Sequence, residues 1–141
     1  MNPQTVMVAD DELHLTRILQ AKFQQAGFRV IVANDGEEAF ELAFERRPDL
    51  VISDHQMPVM DGFEMCVKLR NTPETSEIPV LMLTALGHKL TPSQLARTNI
   101  RHLMGKPFST RELIDIATET LRECAGGDES NQLASDDPAM A

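Results

Sequence analysis

The amino-acid sequence predicts an α/β fold in which helices cover both faces of a five-stranded parallel sheet. Short apolar runs alternate with longer stretches whose apolar residues recur at helical spacing. No segment repeats at a fixed period, which argues against a repeat architecture. Strands that alternate with helices in this way are typical of βαβ units with right-handed crossovers.

Five apolar runs are the predicted strands. In chain order they lie at residues 6–9, 28–33, 50–52, 78–83 and 101–104. Polar or turn residues bound each run, as in the turn sequence Asn34-Asp35-Gly36 after the second. The fifth run is the weakest, because it contains Arg101 and His102. Short apolar runs of this kind suit strands that are buried in a parallel sheet.

The predicted helices are five stretches with apolar positions three or four residues apart. They follow the strands in turn, at residues 15–26, 37–46, 63–70, 91–97 and 109–121. Gly27 and Pro48 mark the ends of the first two. The fourth opens at Thr91-Pro92 with proline at a tolerated position, and the fifth opens with Ser109 and Glu112, which resemble a capping box.

Length and composition restrict the classes of function. A chain of 141 residues with 42% hydrophobic and 25% charged residues suits one globular domain. No apolar run approaches the roughly 20 residues of a membrane span, and no signal-peptide pattern is present, so we expect a cytoplasmic protein without membrane contact. A net charge of -9 and the absence of Trp and Tyr argue against direct nucleic-acid binding. Cys66 and Cys124 are too few for a disulfide framework.

The domain is predicted to cover residues 1–124. Residues 125–141 are rich in Gly, Ser and Asp, contain no lysine or arginine and show no helical periodicity. We expect this segment to be an acidic, flexible C-terminal tail.

Polar residues at the ends of the predicted strands are expected to meet at one edge of the sheet. The residues in question are Asp10 and Asp11 after the first strand, Asp54 after the third, Thr84 after the fourth and Lys106 after the fifth. Three carboxylates beside one lysine leave negative charge that a divalent cation would neutralise. Oxygen ligands of this kind suit Mg²⁺. A metal-bound carboxylate next to a lysine and a hydroxyl can bind a phosphoryl group or attack it.

Each of these residues also has a simpler interpretation. The acidic residues 10–12 are compatible with an ordinary helix start, which favours negative charge. Taken singly, Asp54 can cap a turn and Lys106 can be a solvated charge. We favour a joint site, because independent strand ends rarely carry this combination by chance.

The strand-end segments resemble the receiver domain of two-component response regulators over roughly residues 3–124. The matching segments are VMVADDE at the first strand, DHQMPVMDG after the third, LMLTA at the fourth and GKPF after the fifth. The resemblance implies a flavodoxin-like, doubly wound, three-layer α/β/α fold. Its five-stranded parallel sheet would have the strand order 2-1-3-4-5.

The resemblance also implies roles for the acidic residues. Asp54 would accept a phosphoryl group from a phosphohistidine of a sensor histidine kinase. Asp10 and Asp11 would hold Mg²⁺ together with Asp54, and the backbone carbonyl of Gln56 would complete the protein ligands.

Further roles follow from the same resemblance. Thr84 would be the hydroxyl that moves onto the phosphoryl group, and Lys106 would pair with a phosphoryl oxygen. The bond before Pro107 is typically cis in this family, and Gly62 would permit the turn behind the acceptor.

The expected function is that of a stand-alone response regulator, a phosphoprotein that signals by phosphorylation-dependent binding to a downstream protein. It would not be an enzyme, although Asp54 would undergo Mg²⁺-dependent self-phosphorylation and autodephosphorylation. A phosphorelay intermediate and a receiver-fold adaptor that does not switch are the alternatives. A phosphatase of the dehalogenase type would need a second aspartate where Gln56 stands. The sequence leaves open a phosphorylation-dependent homodimer, the kinase and the output partner.

Two positions bear on switching. Leu103 stands where receivers usually carry a Tyr or Phe whose rotation accompanies the switch, so we expect the output face to switch through Thr84 and its loop alone. Leu86 cannot orient an attacking water by hydrogen bonding, so we expect slower autodephosphorylation than in a Leu86→Glu variant.

Overall fold

Strands and helices alternate along the chain in the computed structural model, which describes residues 3–85 and 89–133 and the side chains up to residue 125. The strands are β1 (Thr5–Ala9), β2 (Arg29–Ala33), β3 (Leu50–Asp54), β4 (Val80–Thr84) and β5 (Ile100–Gly105). The helices are α1 (Leu13–Gln25), α2 (Gly36–Arg46), α3 (Gly62–Asn71), α4 (Pro92–Leu95) and α5 (Thr110–Leu133). Every predicted strand and helix is therefore present.

The five strands form one parallel sheet in the order β2-β1-β3-β4-β5, which confirms the predicted fold class and strand order. Every residue of β3 and β4 is buried. Strands covered on both faces are expected to be apolar throughout, because neither side of the sheet meets water.

The core consists of two apolar clusters, one on each face of the sheet. Alternate residues of β1 divide between them: Met7 and Ala9 belong to the cluster that includes side chains of α2 and α3, whereas Val6 and Val8 belong to the cluster of α1 and α5. This division follows from the period of two along a strand, which points successive side chains to opposite faces. The result is a three-layer α/β/α domain.

Some element boundaries differ from the predictions. β4 begins at Val80 rather than at residue 78, because Pro79 has no N–H to donate to a neighbouring strand. The carbonyl of Pro79 still accepts a hydrogen bond from the N–H of Val51. α4 spans only Pro92–Leu95, which is shorter than the predicted residues 91–97.

The last helix is longer than the sequence predicts. α5 continues to Leu133, past the predicted domain end at residue 124. The two glycines at positions 126 and 127 weaken a helix by about 1 kcal/mol each relative to alanine, but they leave its backbone hydrogen bonds intact. Residues 125–133, which were expected to belong to a flexible tail, are therefore helical, because α5 continues through both glycines. Residues 134–141 lie outside the described part of the chain, and for them the acidic, flexible tail stays a prediction. Across the described ranges, no helix has both the length and the apolar character needed to span a bilayer.

Candidate functional site

The carboxyl ends of β1, β3 and β5 bring three charged residues together. Asp10 follows β1 and Asp54 is the last residue of β3, and these two strands are neighbours in the sheet. Lys106 follows β5 and reaches past β4, so that its Nζ lies 3.0 Å from Oδ1 of Asp54 and 3.3 Å from Oδ2 of Asp10. The predicted convergence of strand-end residues is therefore present for these three.

The three aspartates form a compact group of oxygen donors. Asp10, Asp11 and Asp54 each offer a carboxylate oxygen, and these oxygens lie within 4.8 Å of one another. Asp10 and Asp54 are buried, whereas Asp11 is exposed. An all-oxygen set that is open on one side suits a hard divalent cation that keeps some of its water.

Burial and neighbouring charges shift the pKa values of Asp10 and Lys106. Loss of water raises the pKa of Asp10, and the charge of Asp54 adds to this shift, whereas the N–H of Glu12 and the ammonium of Lys106 oppose it. Burial alone would lower the pKa of Lys106, but its hydrogen bond to Asp54 and the charge of Asp10 raise it above the ordinary lysine value. Lys106 therefore stays protonated at neutral pH.

The helix-start interpretation of the acidic residues also holds in part. Oδ1 of Asp10 accepts a hydrogen bond of 2.9 Å from the N–H of Glu12, at the start of α1. The other oxygen, Oδ2, faces Lys106. Asp10 thus serves both the helix start and the charged cluster, because a carboxylate can accept on two oxygens.

An open pocket of about 530 Å³ lies over the cluster. Its lining residues are Asp11, Glu12, Asp54, Gln56, Met57, Pro58, Ala85 and Lys106. Gln56 is an exposed residue of this wall. Thr84 is the buried last residue of β4, and its carbonyl accepts a hydrogen bond of 2.8 Å from the N–H of Lys106. Among the described residues, Ala85 rather than Thr84 forms the wall beside β4, and Leu86 lies outside them.

The loop between β3 and α3 packs tightly against the end of β3. A Cβ on Gly62 would overlap the carbonyl oxygen of Asp54. The resemblance implied that Gly62 permits a turn, but the structure requires glycine here for this close approach. The left-handed residue of the loop is Val59, at φ 71°, and its side chain is 75% exposed. The peptide bond between Lys106 and Pro107 is cis.

Two further side chains, Glu12 and Leu103, bear on the site and on the surface near it. Glu12, for which the sequence indicates only a helix start, places Oε1 3.5 Å from Nζ of Lys106. Its position next to Asp11 was the only signal that could have identified it. Leu103, which replaces the usual aromatic residue, lies on β5 and is 40% exposed.

Comparison with known proteins agrees with this arrangement. The family model described as the response regulator receiver domain matches residues 6–118. The chain belongs to the response regulator receiver family. A receiver is a signalling domain of two-component systems, and the fold described above is the one that the resemblance implied.

The relatives of this receiver include longer regulators. A probable transcriptional regulator, ycf27 of Cyanophora paradoxa, is 38% identical over 116 residues, which cover 80% of this chain and 46% of that protein. The alkaline phosphatase synthesis transcriptional regulatory protein PhoP of Bacillus subtilis is 33% identical over 132 residues, covering 94% and 54% respectively. The receiver chain thus spans about half the length of the curated relatives it matches.

A solved structure matches most of this receiver chain. A putative response regulator from Chloroflexus aurantiacus J-10-fl has a TM-score of 0.77 and 31% identity to this chain. The match covers 85% of this chain and 98% of that structure.

Proposed function

We propose that Asp54 of this receiver accepts a phosphoryl group from the phosphohistidine of a sensor histidine kinase. The observation that supports this choice is that Asp54 both lines the pocket and contacts Lys106, which lines the same pocket. Its Oδ1 lies 3.0 Å from Nζ of Lys106, and its side chain lines the pocket. Asp10 also contacts Lys106, but it is only 1% exposed. Asp11 is exposed to solvent, but it makes no ion pair with Lys106 in the described part of the chain.

The transfer requires only nucleophilic attack and charge neutralisation. A carboxylate oxygen of Asp54 forms a bond to phosphorus while the bond from phosphorus to the imidazole nitrogen breaks, and the electron pair of that bond leaves with the nitrogen. Because its pKa is raised, Lys106 keeps its positive charge and can pair with an oxygen of the phosphoryl group. A carboxylate oxygen carries no proton, so its attack on phosphorus needs no general base.

The three aspartates are the proposed holders of Mg²⁺, with the backbone carbonyl of Gln56 as a further ligand. The support is the donor set itself, three carboxylate oxygens within 4.8 Å beside a single ammonium. Gln56 lines the same pocket. When bound, Mg²⁺ supplies neutralisation of the charge on the phosphoryl oxygens.

Thr84 is the proposed switch residue. It ends β4, and its carbonyl accepts the hydrogen bond from the N–H of Lys106. A phosphoryl group on Asp54 offers new acceptor oxygens, toward which the hydroxyl of Thr84 would turn. The movement would alter the surface formed by α4 and β5, where Leu103 is exposed.

A downstream protein that binds this altered surface is the proposed reader of the signal, in the cytoplasm and without direct nucleic-acid contact by the receiver. A domain attached to the receiver is a second candidate reader, because the relatives named transcriptional regulators are about twice as long. Transfer of the phosphoryl group to a second histidine protein would instead make the chain a phosphorelay intermediate. A receiver that is phosphorylated without any change in binding would be an adaptor.

Intact-mass spectrometry after incubation with acetyl phosphate tests the acceptor. We expect one added phosphoryl group on the parent, dependent on Mg²⁺ and lost in Asp54→Ala. Asp115→Ala is the matched control, because Asp115 is an exposed aspartate on α5 away from the pocket and should leave the adduct unchanged. An adduct that persists in Asp54→Ala would refute the assignment of the acceptor. Because some receivers ignore small donors, binding of beryllofluoride with Mg²⁺ is the second measurement, and its absence would favour the adaptor.

A further inference from the structure

Glu12 occupies the N-cap position of α1 without capping the helix. Its backbone is extended, at φ -86° and ψ 101°, and its side chain makes no cap hydrogen bond. The side chains of Asp35, Asp61 and Thr91 each accept a hydrogen bond at the N-terminus of α2, α3 and α4. Capping by Ser, Thr, Asp or Asn stabilises a helix by about 1 kcal/mol. Oγ of Ser109 accepts in the same way at the start of α5. The residue at position 12 therefore forgoes a local stabilisation that the four other described helices have.

The carboxylate of Glu12 is instead directed to the pocket. Oε1 lies 3.5 Å from Nζ of Lys106, and the residue lines the pocket beside Asp11 and Asp54. The side chain is 66% exposed, so it lies at the mouth of the pocket rather than in its base. An anion that binds in this pocket next to Asp54 therefore lies close to this negative charge.

Glu12 also changes the charge balance of the site. Without it, the three clustered aspartates, Lys106 and one divalent cation sum to zero. With it, the loaded pocket retains one negative charge. Like charges in a partly solvated cleft repel at the distances involved, so this charge opposes an incoming anion and attracts a cation.

We propose that Glu12 is a specificity-determining residue that slows phosphorylation of Asp54 by small anionic phosphodonors. The more negative charge the donor carries, the more Glu12 slows its reaction. The inference rests on the proposed function, because it assumes that Asp54 is the acceptor. A protein donor would overcome the same barrier through contacts outside the pocket, which a small molecule cannot make. Glu12 thereby favours transfer from a docked kinase over adventitious phosphorylation.

The test compares donors of different charge at saturating Mg²⁺. Acetyl phosphate is a dianion at neutral pH, and phosphoramidate is a monoanion. For Glu12→Gln we expect the phosphorylation rate to rise by about threefold for each unit of donor charge, the effect of one unit charge several ångströms away in a largely aqueous dielectric. The gain should therefore be greater with acetyl phosphate, and it should shrink at high ionic strength.

Three further measurements separate this role from a structural one. Glu12→Asp keeps the charge and should restore rates close to those of the parent. Glu45→Gln makes the same change in net charge at an exposed residue of α2 away from the pocket, and it should leave both rates unchanged. The affinity for Mg²⁺, measured by calorimetry, should fall in Glu12→Gln, whereas the phosphorylation rate should rise. The fall should be up to about ninefold, because the lost charge attracts a cation that carries two charges.

The outcomes distinguish this inference from the proposed function. Equal gains with both donors, or gains no larger than those of Glu45→Gln, would overturn the role of Glu12 while leaving Asp54 as the acceptor. If small donors do not phosphorylate the parent, the affinity for beryllofluoride with Mg²⁺ replaces the rate, and Glu12→Gln should bind this monoanion about threefold more tightly. A parent that takes neither donor nor analogue would overturn both proposals.

Discussion

Replacing Asp10 with asparagine removes a buried negative charge while it preserves the shape of the side chain. Asp10 is 1% exposed and lies within 4.8 Å of the carboxylate of Asp54. Loss of water raises the pKa of Asp10, which means that the folded protein is less stable with this carboxyl ionised than with it neutral. Asparagine is neutral at every pH, and its carbonyl oxygen can still accept the hydrogen bond from the N–H of Glu12. Its amide nitrogen would then face the ammonium of Lys106, which keeps its contact with Asp54 and offsets part of the gain.

The magnitude follows from three contributions. The attraction between Asp10 and Lys106 at 3.3 Å and the repulsion between Asp10 and Asp54 at up to 4.8 Å oppose each other. Each amounts to about 3–5 kcal/mol at an effective dielectric constant of about 20, so they largely cancel. The desolvation penalty of a buried ion, several kcal/mol before compensation by hydrogen bonds, remains. We therefore expect Asp10→Asn to raise the free energy of unfolding by about 1–2 kcal/mol, or roughly 4–8 °C in Tm.

Urea unfolding in the presence of EDTA and then with Mg²⁺ measures this effect. Mg²⁺ at ten times its Kd stabilises a folded protein that binds it by about 1.4 kcal/mol. The parent should gain this stability and Asp10→Asn should not, so the advantage of the variant should disappear in Mg²⁺. Asp11→Asn is the control, because this exposed carboxylate should change the stability in EDTA by less than about 0.5 kcal/mol and still remove the gain from Mg²⁺. If Asp10→Asn proves less stable than the parent in EDTA, the reasoning about burial is refuted.

Three other substitutions test the packing of the same region by urea or thermal unfolding. Gly62→Ala should lower the free energy of unfolding by more than about 3 kcal/mol or prevent folding, because its Cβ would overlap the carbonyl oxygen of Asp54. Gly105→Ala is the control and should change stability by less than about 1 kcal/mol, because a Cβ on Gly105 meets nothing within 4 Å. Equal effects of the two substitutions would contradict the close approach at Gly62. Val59→Asn should stabilise the domain by about 1 kcal/mol, because asparagine tolerates the left-handed backbone of this exposed position, and a loss of stability would contradict that. Burial raises the pKa of the Cys66 thiol, so the unfolded chain releases a proton that the folded chain keeps. Stability should therefore be intact below about pH 8.5 and fall above it by up to about 1.4 kcal/mol per pH unit. Cys66→Ala should flatten this fall, and an unchanged slope would exclude Cys66 as its source.

The fold and the identity of the charged residues could largely be predicted from the sequence. Apolar runs separated by amphipathic stretches predict a parallel sheet with helices on both faces, and the structure confirms it. The site residues could be found because parallel strands place their carboxyl ends at one edge, so a residue that follows a strand is already located. The boundaries were less predictable, since Pro79 shortens β4 through a missing N–H and the glycines after residue 124 do not stop α5.

Local patterns alone determined the fold class, the strand ends and the residues Asp10, Asp11, Asp54, Thr84 and Lys106 as candidates. Only the tertiary structure decided which of the adjacent acidic residues is buried. Asp10 is buried against Lys106, 96 positions away in the chain, while its neighbour Asp11 faces solvent. The tertiary structure also decided that Glu12 contacts Lys106 instead of capping α1, and that Gly62 is needed for space rather than for a turn. The physical reason is that burial and Coulomb interactions depend on distances between strands, which no local pattern contains.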